Sequence, residues 1–176
     1  MYALYIVFLM TFLMSLAFGL NAPTEQKMLR PEVVAMQMSS WHVAAQKKCS
    51  LETCNGGTVN PVNYLNDMVK NAEFVTRGYF KTNYDLGSKY VLTSLTGVGM
   101  SAGNINNATV SSSFHKLLGG DSSSSIGYWD QTKKQIELPS RRYGKTNLSV
   151  PGDISANLLI GVPDKSPVMI NKIVDR

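Results

Sequence analysis

The sequence predicts an α+β protein with an N-terminal transmembrane helix, followed by an amphipathic helix packed on a small antiparallel sheet. Three observations carry that expectation. Tyr2 to Leu20 form an uncharged, apolar run. Apolar residues recur at helical spacing after Pro31, and aromatic and β-branched segments, paired around turn-forming residues, follow from Phe74 onward.

Nineteen residues at about 1.5 Å of rise span the roughly 30 Å hydrocarbon core of a bilayer. Residues 1–22 are therefore expected to be a membrane anchor and residues 23–176 a single extracytoplasmic domain. A cleaved secretory signal is the competing reading, with Ala17-Phe18-Gly19 as the place to cut. Lys27 and Arg30 follow the run, but large C-terminal domains cross largely regardless of charge. The Ser-, Thr-, Asn- and Gly-rich remainder, with one possible cysteine pair, fits a single-pass membrane protein whose C-terminal domain lies outside the cytoplasm.

Pro23 interrupts the first helical pattern, and Arg30-Pro31-Glu32 restarts it, with proline in the first turn and an acid near the positive end of the helix dipole. Val34, Met38, Trp41 and Ala45 then fall at i, i+4, i+7 and i+11, so a helix is expected over 31–48. Val34, Met38 and Trp41 are candidates for an interaction surface, against the alternative that the stripe packs on the protein's own sheet. Cys49 and Cys54 lack two further ligands for zinc and fail the CxxC spacing of thiol oxidoreductases, leaving a disulfide that closes a small loop. A short helix is expected over 62–71. Strands are expected over 74–80, 89–95, 126–129, 135–138, 158–162 and 168–173, and a short helix over 108–118 within the Gly- and Ser-rich stretch 97–125.

The net charge of +5 invites a nucleic-acid reading, but Lys47-Lys48, Lys133-Lys134 and Arg141-Arg142 are isolated pairs without interleaved aromatics, so no nucleic-acid partner is expected. The glycines of Gly97-Val98-Gly99-Met100-Ser101-Ala102-Gly103 have the wrong intervals for a dinucleotide fingerprint, and no cofactor or metal is expected. His115, flanked by Ser113 and Lys116, belongs to no nucleophile motif, and the acids are scattered singly. No catalytic residues are nominated. Asn107-Ala108-Thr109 and Asn147-Leu148-Ser149 match the glycosylation pattern of eukaryotic secretory proteins.

The order of apolar helix, Gly19 and Pro23 near its exit, amphipathic continuation and antiparallel strands resembles type IV pilins and pilin-like proteins, although Tyr5 stands where the pilin pattern has Glu. Length, anchor and the helix bearing Met38-Ser-Ser-Trp41-His-Val-Ala-Ala45 resemble the PilM family of thin-pilus biogenesis proteins. That resemblance implies an anchor in the bacterial inner membrane with the C-terminal domain in the periplasm, and a non-enzymatic inner-membrane component of type IV pilus biogenesis, or of a related conjugation or secretion assembly, whose partners are other proteins of the apparatus. Two other classes stay open: an anchored or secreted cell-envelope hydrolase, and an adhesin using its Ser/Gly/Asn loops.

Overall fold

A helix of 21 residues, α1 (Pro31–Leu51), lies against one face of an antiparallel sheet. The structure is a computed structural model that describes residues 31–101, 125–137 and 147–173. The expected anchor over residues 2–20 and the expected helix over 108–118 lie outside the described residues. Among those described, no helix is long and apolar enough to cross a membrane.

After α1 come β1 (Gly57–Thr58), two 3-10 turns (Val62–Tyr64 and Asp67–Val69) and a single helical turn, α2 (Glu73–Thr76). The chain continues through β2 (Phe80–Asp85), β3 (Tyr90–Leu95), α3 (Gly97–Ser101), β4 (Ser125–Asp130), β5 (Gln135–Glu137) and β6 (Asn147–Ser149). A 3-10 turn (Ala156–Leu159) precedes the last strand, β7 (Pro167–Lys172). The strand order is β1-β2-β3-β7-β4-β5-β6, with every neighbouring pair antiparallel. The last strand thus enters the middle of the sheet and joins two hairpin systems made earlier in the chain.

Alternation along the strands gives the sheet two covered faces. Phe80 and Leu95 pack with Val34, Ala35, Met38 and Trp41 of α1, together with Phe74, Ile126 and Met169. Trp41, Phe74 and Phe80 form an aromatic group with ring centroids 5.5 to 6.3 Å apart. On the opposite face Leu92, Trp129, Ile136, Val168 and Ile170 are covered by Ile154, Leu158 and Val162. Asn83 Nδ2 fastens that cover by donating to the Leu158 and Ile160 carbonyls at 2.8 and 3.2 Å, and Lys81 Nζ donates to the Ile160 carbonyl at 2.9 Å.

Two expected strands are not strands. Residues 74–80 read as extended because of their aromatic and β-branched content, yet Phe74 sits in α2 and β2 starts only at Phe80. The physical reason is Gly78, at φ +64°, which closes α2 in a Schellman motif: Tyr79 N donates to the Phe74 carbonyl at 3.0 Å and Gly78 N to the Val75 carbonyl at 3.2 Å. Residues 158–162 likewise form no strand: Leu158 and Leu159 end the 3-10 turn Ala156–Leu159, capped by Ser155 Oγ, which accepts from Asn157 N at 3.2 Å, and Ile160 to Val162 turn away after it. Their apolar content is used to bury Leu158 and Val162 as a lid on the sheet. The expected helix over 62–71 resolves into the two 3-10 turns, the second capped by the Asn66 side chain.

Cys49 and Cys54 form a disulfide, with Cα atoms 5.2 Å apart, and pack beside Ala45, Val59, Tyr84 and Val91. The bridge ties the end of α1 to the loop that enters β1. Closing so short a loop contributes about 2 kcal/mol on a chain-entropy argument.

Candidate functional site

Packing of α1 on the sheet is not wholly apolar. Trp41 Nε1 donates to Thr82 Oγ1 at 3.0 Å, Thr82 Oγ1 lies 2.8 Å from Thr93 Oγ1, and Thr93 Oγ1 lies 2.8 Å from His42 Nδ1. Thr82 and Thr93 are register partners on β2 and β3, and adjacent residues of α1 cap the two ends of this chain. All four side chains are buried. Around the far nitrogen of the ring, Gln46 places its amide 3.3 Å from His42 Nε2. Asn171 of β7 favours the charged imidazole, but its buried Oδ1 makes no well-formed hydrogen bond. Burial dominates and pulls the His42 pKa down to about 4, so the ring is neutral near pH 7. Without solvent access this group orients α1 and does no chemistry on a substrate.

A second polar cluster clamps the β4–β5 turn. Lys165 pairs with the buried carboxylate of Asp130, Lys133 pairs with Glu137 and lies 3.7 Å from Asp130, and Lys165 Nζ stands 5.8 Å from the centre of the Tyr128 ring. Gln131 N donates to Asp164 Oδ1 at 2.8 Å, and Lys133 N to Asp130 Oδ1 at 2.9 Å. The hydrogen bond from Lys165, followed by that from the Lys133 amide, lowers the Asp130 pKa to about 2. Two cations here face two carboxylates, an arrangement that satisfies itself and fixes the loop over residues 163–166 against the hairpin.

Val34, Met38 and Trp41, the candidate interaction residues, face inward and belong to the core. Truncating or charging them would therefore test folding. The apolar side chains that α1 turns outward are Val33, Met36 and Val43, which are 39, 57 and 56% exposed. Both faces of the helix are thus apolar over its first half, which is why spacing alone did not separate the stripe facing the sheet from the one facing solvent. The buried hydroxyls were missed for a related reason. A threonine inside a β-branched run reads as a strand former, and only the partner strand and His42 give it a polar role.

Gly99, in the glycine run whose intervals do not fit a dinucleotide fingerprint, serves close packing: a Cβ there would stand 2.4 Å from the Tyr79 carbonyl oxygen. His115 and Asn107 lie outside the described residues, and Asn147 is on β6 at one edge of the sheet. Among the described residues no group of three or more His, Cys, Asp or Glu is placed to hold a metal ion. No protein-family model, no curated protein and no solved structure matches this chain.

Proposed function

We infer that the protein is a non-enzymatic component of a type IV pilus or a related conjugation or secretion assembly, held in the bacterial inner membrane by residues 2–20 and working through contacts of its periplasmic domain. The observation that carries this reading is the outward face of α1. A helix already packed on its own sheet leaves Val33, Met36 and Val43 open to solvent, each next in the chain to a buried residue, Val34, Ala35 and Ala44. The first of them lies thirteen residues beyond the end of the uncharged run at Leu20. An anchor so close confines this face near the bilayer surface and raises its effective concentration toward neighbouring subunits. The pilin-like order of anchor, helix and sheet is part of the same proposal.

The test uses a photocrosslinking amino acid at position 36 or 43 of the full-length chain in intact cells. Adducts with a pilus or secretion-apparatus subunit are expected, together with their loss in a chain that carries Val33→Glu, while thermal unfolding stays within about 0.5 kcal/mol of the parent because the changes are on the surface. Recovery of the chain free of membranes, or adducts unchanged by the charge, overturns the reading.

A further inference from the structure

We propose that the Trp41–Thr82–Thr93–His42 chain is an acid-release latch: protonation of His42 leaves a hydrogen with no acceptor inside the seam and frees the middle of α1 from the sheet. The inference rests on counting donors along a chain whose direction is fixed. Indole Nε1 only donates, so Trp41 must give its hydrogen to Thr82. Thr82 can then donate to Thr93, and Thr93 to an unprotonated His42 Nδ1. Three hydrogens fill three links, and nothing is left over.

That arrangement selects the tautomer with hydrogen on Nε2, and it requires the Gln46 amide, whose nitrogen stands 3.3 Å from Nε2, to turn its carbonyl oxygen to the ring. Adding a proton at Nδ1 puts a donor at both ends of the chain. Four hydrogens then compete for three links, and either Thr82 or Thr93 holds a buried O–H without an acceptor. Such an orphan costs on the scale of a lost buried hydrogen bond. The neutral tautomer with hydrogen on Nδ1 carries the same surplus, so the count makes a statement about the resting state as well as the protonated one.

Among the described residues no neighbouring charge offsets the added proton. The elements packed against His42 are α1, β2, β3 and β7, and the groups they turn to it are Gln46, Thr93 and Asn171, with Thr82 and Trp41 behind Thr93. Tyr84 of β2 shares the helix face of the sheet. Strand alternation puts Lys81 and Asp85 of β2, Tyr90 of β3 and Lys172 of β7 on the other face. On α1, Glu32 is at the opposite end, Lys47 is exposed, and Lys48 is engaged with Asn60 and Glu52. Burial opposes the charged ring, in agreement with the geometry. The latch concerns how α1 is held and does not depend on the assembly proposed above.

Two measurements on the full-length chain in detergent micelles test it. Long-range nitrogen–proton NMR of the histidine rings, with His42 assigned from the His42→Asn spectrum, is expected to show the Nε2–H tautomer persisting to about pH 4. Hydrogen exchange, corrected for intrinsic rates, is expected to lose protection across residues 38–46 by on the order of a hundredfold between pH 6.5 and pH 4, with β4 and β5 unaffected over that range. In His42→Asn, whose side-chain carbonyl can still accept from Thr93, α1 protection should be flat with pH. An Nδ1–H resting tautomer, titration of the folded ring near its ordinary value, or parallel loss of protection in α1 and β4 overturns the proposal. The third is read on the parent chain without the variant, so it decides the matter even if the variant fails to fold.

Discussion

Against α1 the sheet presents an apolar layer threaded by four hydrogen-bonded polar side chains, whereas its opposite face presents Leu92, Trp129, Ile136, Val168 and Ile170 to a short apolar cover. On the second face Asn83 and Lys81 hold backbone carbonyls of the cover. An apolar contact tolerates sliding, because area is non-directional. The Trp41-to-His42 chain does not tolerate it, since a shift of α1 by one residue would separate both ends from their hydroxyls. The comparison separates two ways of holding a layer: the cover is apolar in its side chains and held at its backbone carbonyls by Asn83 and Lys81, whereas α1 is positioned through its own side chains, Trp41 and His42.

The largest expected effect comes from truncating a fully buried side chain in either layer. Met38→Ala and Leu92→Ala should each lower the unfolding free energy by about 2–5 kcal/mol in equilibrium denaturation. Their positions on opposite faces of β3 make the double variant informative. Additivity within about 0.5 kcal/mol means that the layers respond separately, and a larger coupling would merge the two faces into one cooperative core.

Acid should next distinguish the seam under α1 from the clamp at the β4–β5 turn. His42 has a folded pKa of about 4, below its ordinary value near 6.5, so between those values the unfolded chain binds more protons. Stability therefore falls as the pH drops from 6.5 through 4, by about 3 kcal/mol in all. Asp130, in the clamp at the far turn, also has a lowered pKa, but from 3.8 to about 2. Its contribution is fully present above pH 3.8 and disappears as the pH falls through 2. His42→Asn should flatten the upper limb of a stability–pH curve and Asp130→Asn the lower one. Exchange of those two signatures would mean that the two limbs have been assigned to the wrong groups.

How much of this was readable in the chain differs between the same two faces. The long helix, the disulfide pair and the strands at 90–95, 125–130, 135–137 and 167–172 follow from spacing, turn residues and β-branched content. Gly78 was visible as a glycine inside an aromatic run, and its role as a helix terminator depends on a left-handed backbone that composition does not declare. Residues 158–162 of the cover looked like a strand because a buried turn and a buried strand need the same side chains. The polar seam was not readable at all. His42 and Thr93 are separated by 51 residues, and only the insertion of α1 over β2 and β3 brings them together.

The smallest effects fall on two consecutive residues of β3 that face opposite layers, and here the comparison predicts opposite signs. Thr93→Val keeps the shape of the side chain and removes the hydroxyl that links Thr82 to His42, leaving both without that partner inside the seam. A loss of about 2 kcal/mol is expected, within the range for stranding buried polar groups. Ser94, on the other face, is equally buried, but its Oγ has no hydrogen-bond partner. Ser94→Ala removes an unpaired hydroxyl from an apolar layer and should be neutral or stabilising by up to about 1 kcal/mol. Denaturant midpoints for the two single variants, measured at pH 7 where His42 is neutral, give the answer directly. Destabilisation by both changes would mean that the face behind Ser94 relies on polar contacts beyond those of Asn83 and Lys81, and the contrast between the two residues would fail at that strand.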